Sequence, residues 1–503
     1  MLFNSYIFIL FFLPLTLGIY YGLNKIGKSN AAKLFLITAS LFFYGYFRFS
    51  YILIITGSII FNYLCSCFLL RENISDYVRK VLLLFGILLN VGLIGYFKYF
   101  NFLLENINVF FHSNIPLKNI LMPLGISFFT FQQISYLVDS YRKETKEYGF
   151  MDYALYVTFF PQLVAGPIVL HDEILHQFTD KRAERLSQSM LSQGVFLFAI
   201  GLFKKVMIAD TMGRGVDWAY TDVSVLTGME ATLVSLLYTD LLSTADAWLV
   251  VLCYTLQIYF DFSGYCDMAC GIAKMFHINL PMNFNSPYKS TSILEFWQRW
   301  HMTLTRFLRK YVYIPLGGNR KGIVRTMVNI FVVFLVSGIW HGAAWTFVLW
   351  GILHGLANIL CRLFKNGWEK LPKVLRWLMT FTFVDLAWVL FRSKTISEAK
   401  CMYQKIFSNW QGGLSTSFLD NFRIIEFTYI EDHVDVVKSL VVKFPAFYVC
   451  FVLVLGFLLV LIPQNSQEVK FVPNIRNGIG CVILLVWTIL SLSGITTFLY
   501  FNF

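Results

Sequence analysis

Apolar windows long enough to cross a hydrocarbon core of roughly 30 Å recur along the whole chain. They fall near residues 5–21, 32–48, 51–70, 80–98, 189–209, 247–273, 325–340, 343–361, 375–391, 444–462 and 478–500. A backbone in lipid must satisfy its own N–H and C=O groups, which leaves helices or a closed barrel. Continuous apolar runs rather than alternating ones select helices. The chain is therefore predicted to be an all-α polytopic membrane protein, one membrane domain over residues 1–503. With 57% hydrophobic and 14% charged residues and a mean hydropathy of +0.62, it lies outside soluble-domain composition. The first window has no basic residue before it and no small-residue cleavage site after it, so it is expected as a retained span rather than a signal peptide.

Less regular apolar segments at 100–111, 120–138, 150–169 and 292–314 carry Pro, Gly or charge. They are expected as re-entrant or interfacial helices enclosed by the other spans. Loop charge gives an orientation, because Lys and Arg gather in short cytoplasmic loops. Lys25, Lys28 and Lys33 follow the first window; Arg71, Arg79 and Lys80 follow the third; Lys365, Lys370, Lys373 and Arg376 follow the hairpin 325–361. These loops are expected in the cytoplasm. The connection 210–246 opposes Asp210, Asp217, Asp222, Glu230, Asp240 and Asp246 to Arg214 alone, which fits the outside. Both termini then lie outside, and 392–443 is read as an extracytoplasmic connection. The net charge of +12 is accounted for by loops meeting anionic headgroups, so no nucleic acid is implied. The nine cysteines form no CxxC pair, and read as buried apolar thiols.

Ionisable side chains at membrane depth are costly and point to function. Two stretches each set a histidine beside a tryptophan: FWQRWHMTL at 296–304, with His301, and SGIWHGAAW at 337–345, with His341. Read as one helix, 292–315 puts Arg299, Thr303, Arg306 and Lys310 on one face and Trp297, His301, Leu304 and Leu308 on the other. A surface helix with its aromatic side in the interface gives the same pattern, but leaves His301 on the apolar face unexplained. His341 sits at the turn of two apolar runs beside Gly342, Ala343 and Ala344, small residues that permit close approach. It fits either a pocket floor or a neutral histidine hydrogen-bonded inside a bundle. His354 fits the second description. Beyond Glu295, no Cys or carboxylate stands near either WH pair at ligand spacing, so no metal site is expected.

These residues carry a family resemblance. FWQRWHMTLTRFLRKYVYIPLGGNR and SGIWHGAAWTFVLWGILHG, with FDFSGYCDMACGIAKMF, LPMNFNSPY, MPLGISFFTFQQISYLVD and FFPQLVAGPI, resemble the membrane-bound O-acyltransferase superfamily. The likeness is to its bacterial branch typified by the alginate O-acetyltransferase membrane subunit. It implies a ring of about 11 or more transmembrane helices plus re-entrant helices around a central funnel. It also implies a multi-pass protein of the bacterial cytoplasmic (inner) membrane. By motif His341 matches the superfamily's invariant histidine and His301 its companion. Asn283 and Trp340 fall in family-like segments without an assigned role. The terminal FLYFNF, 498–503, reads by physics alone as an interfacial aromatic anchor. It also resembles the branch's C-terminal aromatic motif, whose tyrosine, here Tyr500, is implicated as a transient acyl carrier.

The resemblance implies an O-acyltransferase, most readily an acetyltransferase, drawing on acetyl-CoA or another cytoplasmic acyl thioester as substrate with no tightly bound cofactor. In this reading His341 is a general base for the phenol of Tyr500, His301 orients the donor or stabilises charge, and Arg299, Arg306, Arg309 and Lys310 hold the donor's phosphates. An extracytoplasmic serine hydrolase-type partner then passes the acyl group to a polysaccharide. The competing class is a secondary transporter or flippase for an envelope precursor, which also uses broken helices and intramembrane histidines.

Overall fold

The computed structural model describes residues 1–228, 242–407, 413–469, 471–492 and 497–499. Every regular element among them is helical. Among the described residues seven helices are long and apolar enough to cross a membrane: Ile7–Lys25, Ser50–Leu70, Asp76–Phe111, Thr244–Met275, Gly322–His341, Trp345–Leu363 and Lys373–Arg392. The pair Asp435–Lys443 and Phe447–Leu461, bent by 99°, makes up to eight. Shorter helices, Ser29–Gly45, Gln188–Phe203 and Ile475–Leu490, fill the remaining apolar windows. The chain is a multi-pass all-α membrane protein.

Burial separates these helices by role. The most apolar stretch of Thr244–Met275 is 89% buried inside the protein, against 17% for Asp76–Phe111 and 22% for Gly322–His341. The buried helix carries Asp246, Asp261 and Asp267, side chains that are too costly to face lipid. It packs along Gln188–Phe203 through two glycine pairs. A Cβ on Gly201 would stand 2.5 Å from the Gly264 carbonyl oxygen, and one on Gly194 would stand 2.6 Å from that of Gly271. Glycines seven residues apart on each helix thus let the two backbones touch.

Two expectations are corrected. Residues 100–111 are not a separate enclosed helix: they continue Asp76–Ile94 through a π-helical turn, Gly95–Tyr99. The 36-residue whole runs to about 54 Å at 1.5 Å per residue, longer than the hydrocarbon core. Val109, Phe110 and Phe111 at its far end are exposed. Residues 292–315 are not one amphipathic helix either. They divide into Ile293–Arg299 and Met302–Leu308, with His301 between them in the left-handed region at φ 45°.

The hairpin Gly322–His341/Trp345–Leu363 and the next helix, Lys373–Arg392, define two ends. At one end the Thr346 hydroxyl donates to the Ser393 carbonyl oxygen at 3.0 Å, so the turn 342–344 lies beside residue 393. The basic loop 362–376 is at the other end. The 342–344 end also gathers segments from the 210–246 and 392–443 connections. Arg392 pairs with Asp217 at 2.8 Å, the Ser415 N–H donates to Asp246 at 3.2 Å, and the Phe418 ring lies 5.9 Å from that of Trp218.

Candidate active site

His301 and His341 arrive from separate parts of the chain and finish with ring centroids 6.3 Å apart. His341 closes the helix Gly322–His341 and is 3% exposed. Its ring meets Trp340 at 5.0 Å and Trp350 and Phe391 at 5.2 Å, each edge-on. Close approach inside the hairpin sets this position. A Cβ on Gly338 would stand 2.5 Å from the Phe347 carbonyl oxygen and 3.0 Å from the Gly351 Cα.

Asn283 explains the break at His301. Its backbone carbonyl accepts from Met302 N–H at 2.9 Å, and Asn285 N–H donates to the Arg299 carbonyl at 2.9 Å, so the strap 283–285 runs beside the broken turn. The Asn283 side-chain oxygen accepts from Thr303 N–H at 3.2 Å and from the Thr303 hydroxyl at 2.9 Å, and it lies 3.1 Å from His301 Nδ1. A backbone N–H can only donate, so the atom it meets is the amide oxygen, and His301 Nδ1 must carry the proton that fills the remaining bond. His301 is therefore held as the Nδ1–H tautomer with its lone pair at Nε2. The left-handed backbone of a non-glycine residue costs about 1–3 kcal/mol and persists where the surroundings over-determine it. Here that backbone belongs to the histidine itself.

His354 accepts from the indole N–H of Trp297 at 3.2 Å and is fully buried. Since the indole only donates, His354 carries its proton on Nε2. It braces Trp297 behind the site, a packing role as its sequence context indicated.

Two intramembrane lysines, which the sequence reading passed over, complete the surroundings. Both sit in π-helical turns, a widened geometry common at functional sites: Lys98 in Gly95–Tyr99 and Lys205 in Lys204–Ala209. The Lys98 ammonium donates to the carbonyl oxygens of Trp340 at 2.6 Å and His341 at 2.9 Å. It thus caps the negative end of the helix that carries His341. Lys205 lies between Asp261 at 2.7 Å and Asp210 at 2.8 Å. The visible signal was a charge within an apolar window, both for these lysines and for Asp261 in FDFSGYCDM.

Lys98 and Lys205 line a cavity of about 940 Å³, together with Gly342, Ala343, Ala344, Phe391 and the tail residues Thr497 and Leu499. Exposed Arg214 and Lys394 stand at its rim, and Arg392 there is paired with Asp217. The turn that follows His341 and the end of the described chain therefore face one space. Of the sequence-predicted aromatic motif 498–503, Phe498 and Leu499 are described, whereas Tyr500 lies outside the described residues.

The expected phosphate-binding cations are divided between the two short helices and the π-helical turn Arg309–Tyr313, and are mostly paired internally. Arg306 forms a two-nitrogen pair with Glu173 and also donates to the Ile168 carbonyl at 3.0 Å. Lys310 meets Asp139 at 3.0 Å and Glu144 at 3.1 Å, and Arg299 meets Glu295 at 3.0 Å. Arg309 is exposed.

Comparison with known proteins gives this geometry its family. Residues 80–391 match the model of MBOAT, the membrane-bound O-acyltransferase family. The chain is 38% identical to the peptidoglycan O-acetyltransferase of Helicobacter pylori, over 100% of this chain and 98% of that one. It is 36% identical to the probable alginate O-acetylase of Pseudomonas aeruginosa, over 82% and 76%. It is 27% identical to the teichoic acid D-alanyltransferase of Bacillus subtilis, over 56% and 71%. A matched domain that contains both Trp-His pairs, the Asn283 strap and both lysines places the chain in the membrane-bound O-acyltransferase family, as an O-acyltransferase.

Proposed function

We propose that this enzyme carries an acetyl group from a cytoplasmic thioester, acetyl-CoA, across the bacterial cytoplasmic membrane to the phenol of Tyr500. From there it passes to hydroxyls of an extracytoplasmic polysaccharide. The observation that carries the reading is the single cavity faced by both the turn after His341 and the segment Thr497–Leu499, with the second imidazole 6.3 Å from the first. The relatives named for acetylation of peptidoglycan and alginate support acetyl as the group and a polysaccharide as the acceptor. With the basic loops in the cytoplasm, both termini and the 392–443 connection lie outside, and the cavity opens outside.

A phenol with an ordinary pKa of about 10 is a weak nucleophile at neutral pH. His341 takes its proton as the phenol oxygen attacks the thioester carbonyl. A C–O bond forms, the C–S bond breaks, and the proton passes from the imidazole to the departing sulfur, releasing a free thiol. His301, with its lone pair at Nε2, holds a proton-bearing group of the donor or the phenol in line. Arg299, Arg306, Arg309 and Lys310 take the donor's phosphates on the cytoplasmic side. Although paired, Arg299, Arg306 and Lys310 remain 35%, 37% and 27% exposed at their side chains. The aryl ester is more activated than an alkyl ester. A serine hydroxyl on an extracytoplasmic hydrolase-type partner attacks it, regenerates the phenol, and passes the acetyl group to a polymer hydroxyl.

Purified enzyme in proteoliposomes with labelled acetyl-CoA tests this. Labelled acetate should leave the donor with one free thiol released per transfer, and His341→Ala should abolish both at unchanged protein abundance. Retained turnover removes His341 as the base. Passage of an intact solute without thiol release would instead identify a secondary transporter or flippase.

A further inference from the structure

Lys205 and Asp261 are each 2% exposed and stand 2.7 Å apart in the protein's membrane-embedded centre. A pair of charges there is costly to retain when two apolar side chains could fill the same volume. Each partner also reaches beyond the pair to the chain's end. The Lys205 ammonium donates to the carbonyl oxygen of Thr497 at 3.1 Å, and the Leu499 N–H donates to Asp261 Oδ2 at 2.9 Å. The two charges therefore hold the tail by its main chain on either side of Phe498. Between the gripped groups, the buried Phe498 ring lies 4.7 Å from the Lys205 ammonium and edge-on to Tyr265 at 4.8 Å.

We propose that the Lys205–Asp261 pair is a positioning clamp for the C-terminal segment, holding its backbone at Thr497 and Leu499 so that the terminal aromatic motif starts from a fixed point on the wall of the cavity beside the His341 turn. This deepens the acyl-carrier reading given above and rests on it. Leu499, the last described residue of the tail, lines that cavity. The grip uses main-chain groups and charge-assisted bonds, which are among the stronger hydrogen bonds. Its second anchor is Asp210, which also pairs with Lys205 at 2.8 Å and lies at the cavity wall. The clamp is thus braced from the helix on which the cavity opens.

Two variants separate the clamp from a merely structural ion pair. Lys205→Met with Asp261→Leu removes the clamp's two charges together, and Asp210, 17% exposed at the cavity wall, keeps access to water. Leu499→Pro deletes the tail's N–H donor and fixes its φ with both charges left in place, and Leu499→Ala, which loses the same core-packed side chain but keeps the N–H, is its control. In the full-length protein in proteoliposomes, two quantities are read: the rate at which acetyl label accumulates on the C-terminal peptide after an acetyl-CoA pulse, and the rate at which carboxypeptidase removes the tail. Both variants should accumulate the adduct at least tenfold more slowly and lose the tail at least tenfold faster. Unfolding of Leu499→Pro should match that of Leu499→Ala, and Lys205→Arg should recover most of the adduct rate. Wild-type digestion and adduct rates in Leu499→Pro overturn the clamp, even if the double variant proves unstable. If Tyr500→Phe leaves transfer intact, the carrier reading fails, while accelerated digestion in Leu499→Pro still upholds the clamp.

Discussion

Asn283→Ala offers the sharpest test of how the site is built. Asn283 is fully buried, and its side-chain oxygen receives Thr303 N–H at 3.2 Å and His301 Nδ1–H at 3.1 Å. Truncation takes this acceptor from three buried donors, the third being the Thr303 hydroxyl at 2.9 Å, at about 1–3 kcal/mol each, so stability should fall by about 3–9 kcal/mol. The catalytic effect is separate. Loss of the bond that fixes the His301 tautomer removes about 1–3 kcal/mol of preference for a lone pair at Nε2, roughly a five- to hundredfold fall in turnover. Asn283→Asp keeps an acceptor for all three donors and should restore most of the stability and the tautomer. Thr303→Val removes the hydroxyl that accepts from Ile168 N–H at 3.0 Å but spares the contact to His301. It should cost stability with little loss of turnover. The assay is thiol release from acetyl-CoA in proteoliposomes, alongside thermal unfolding of the purified protein. Turnover of Asn283→Ala within twofold of wild type, at equal abundance, would refute the tautomer argument.

Lys98→Met removes an ammonium that donates to two carbonyls at the end of the His341 helix, and charge-assisted bonds contribute about 1.5–3 kcal/mol each. Turnover should fall at least tenfold in the thiol-release assay, with Lys98→Arg recovering part of it; equal rates for the two variants would remove the charge from the account. Gly338→Ala sets a methyl group 2.5 Å from the Phe347 carbonyl oxygen. Overpacking of this kind costs about 1–3 kcal/mol, so the unfolding temperature should drop and activity should fall with it, since the helix ends three residues later at His341. An unfolding temperature equal to that of wild type would mean the hairpin is looser than described. Arg309→Ala should raise the concentration of acetyl-CoA needed for half-maximal turnover at unchanged maximal rate; a fall in maximal rate alone would move Arg309 out of donor binding.

What could be read from the chain divides along physical lines. Among the described residues each apolar window falls largely on a helix because lipid imposes a local requirement, internal hydrogen bonding over a fixed length. The Trp-His pairs were legible because an imidazole in such surroundings is conspicuous. The break at His301 was not. The alternation of basic and apolar residues from Arg299 to Leu308 fits one continuous helix, and the strap that interrupts it comes from Asn283 and Asn285, outside any local periodicity. The same limit applies to the basic stripe. Arg306 and Lys310 suggest phosphate binding in one dimension, but their carboxylate partners Glu173 and Asp139 lie more than 130 residues away. Lys98, Lys205 and Asp261 were visible as charges inside apolar windows, but the groups that hold Lys98 and Lys205, the Trp340 and His341 carbonyls and Asp261, lie far along the chain. The end of 100–111 was misread because its charge and length suggested an enclosed element, whereas a π-helical turn carries the preceding span straight into it.

The central claim is that an acetyl group rests covalently on the chain's own C-terminal tyrosine between donor and acceptor. Mass spectrometry of the terminal peptide after a short pulse of labelled acetyl-CoA, with the serine hydrolase-type partner left out, tests it directly. The account predicts a single acetyl adduct at Tyr500 that forms in the wild type, is absent in His341→Ala, and discharges when the partner is added. A tail that stays unmodified while label still leaves the donor would contradict it.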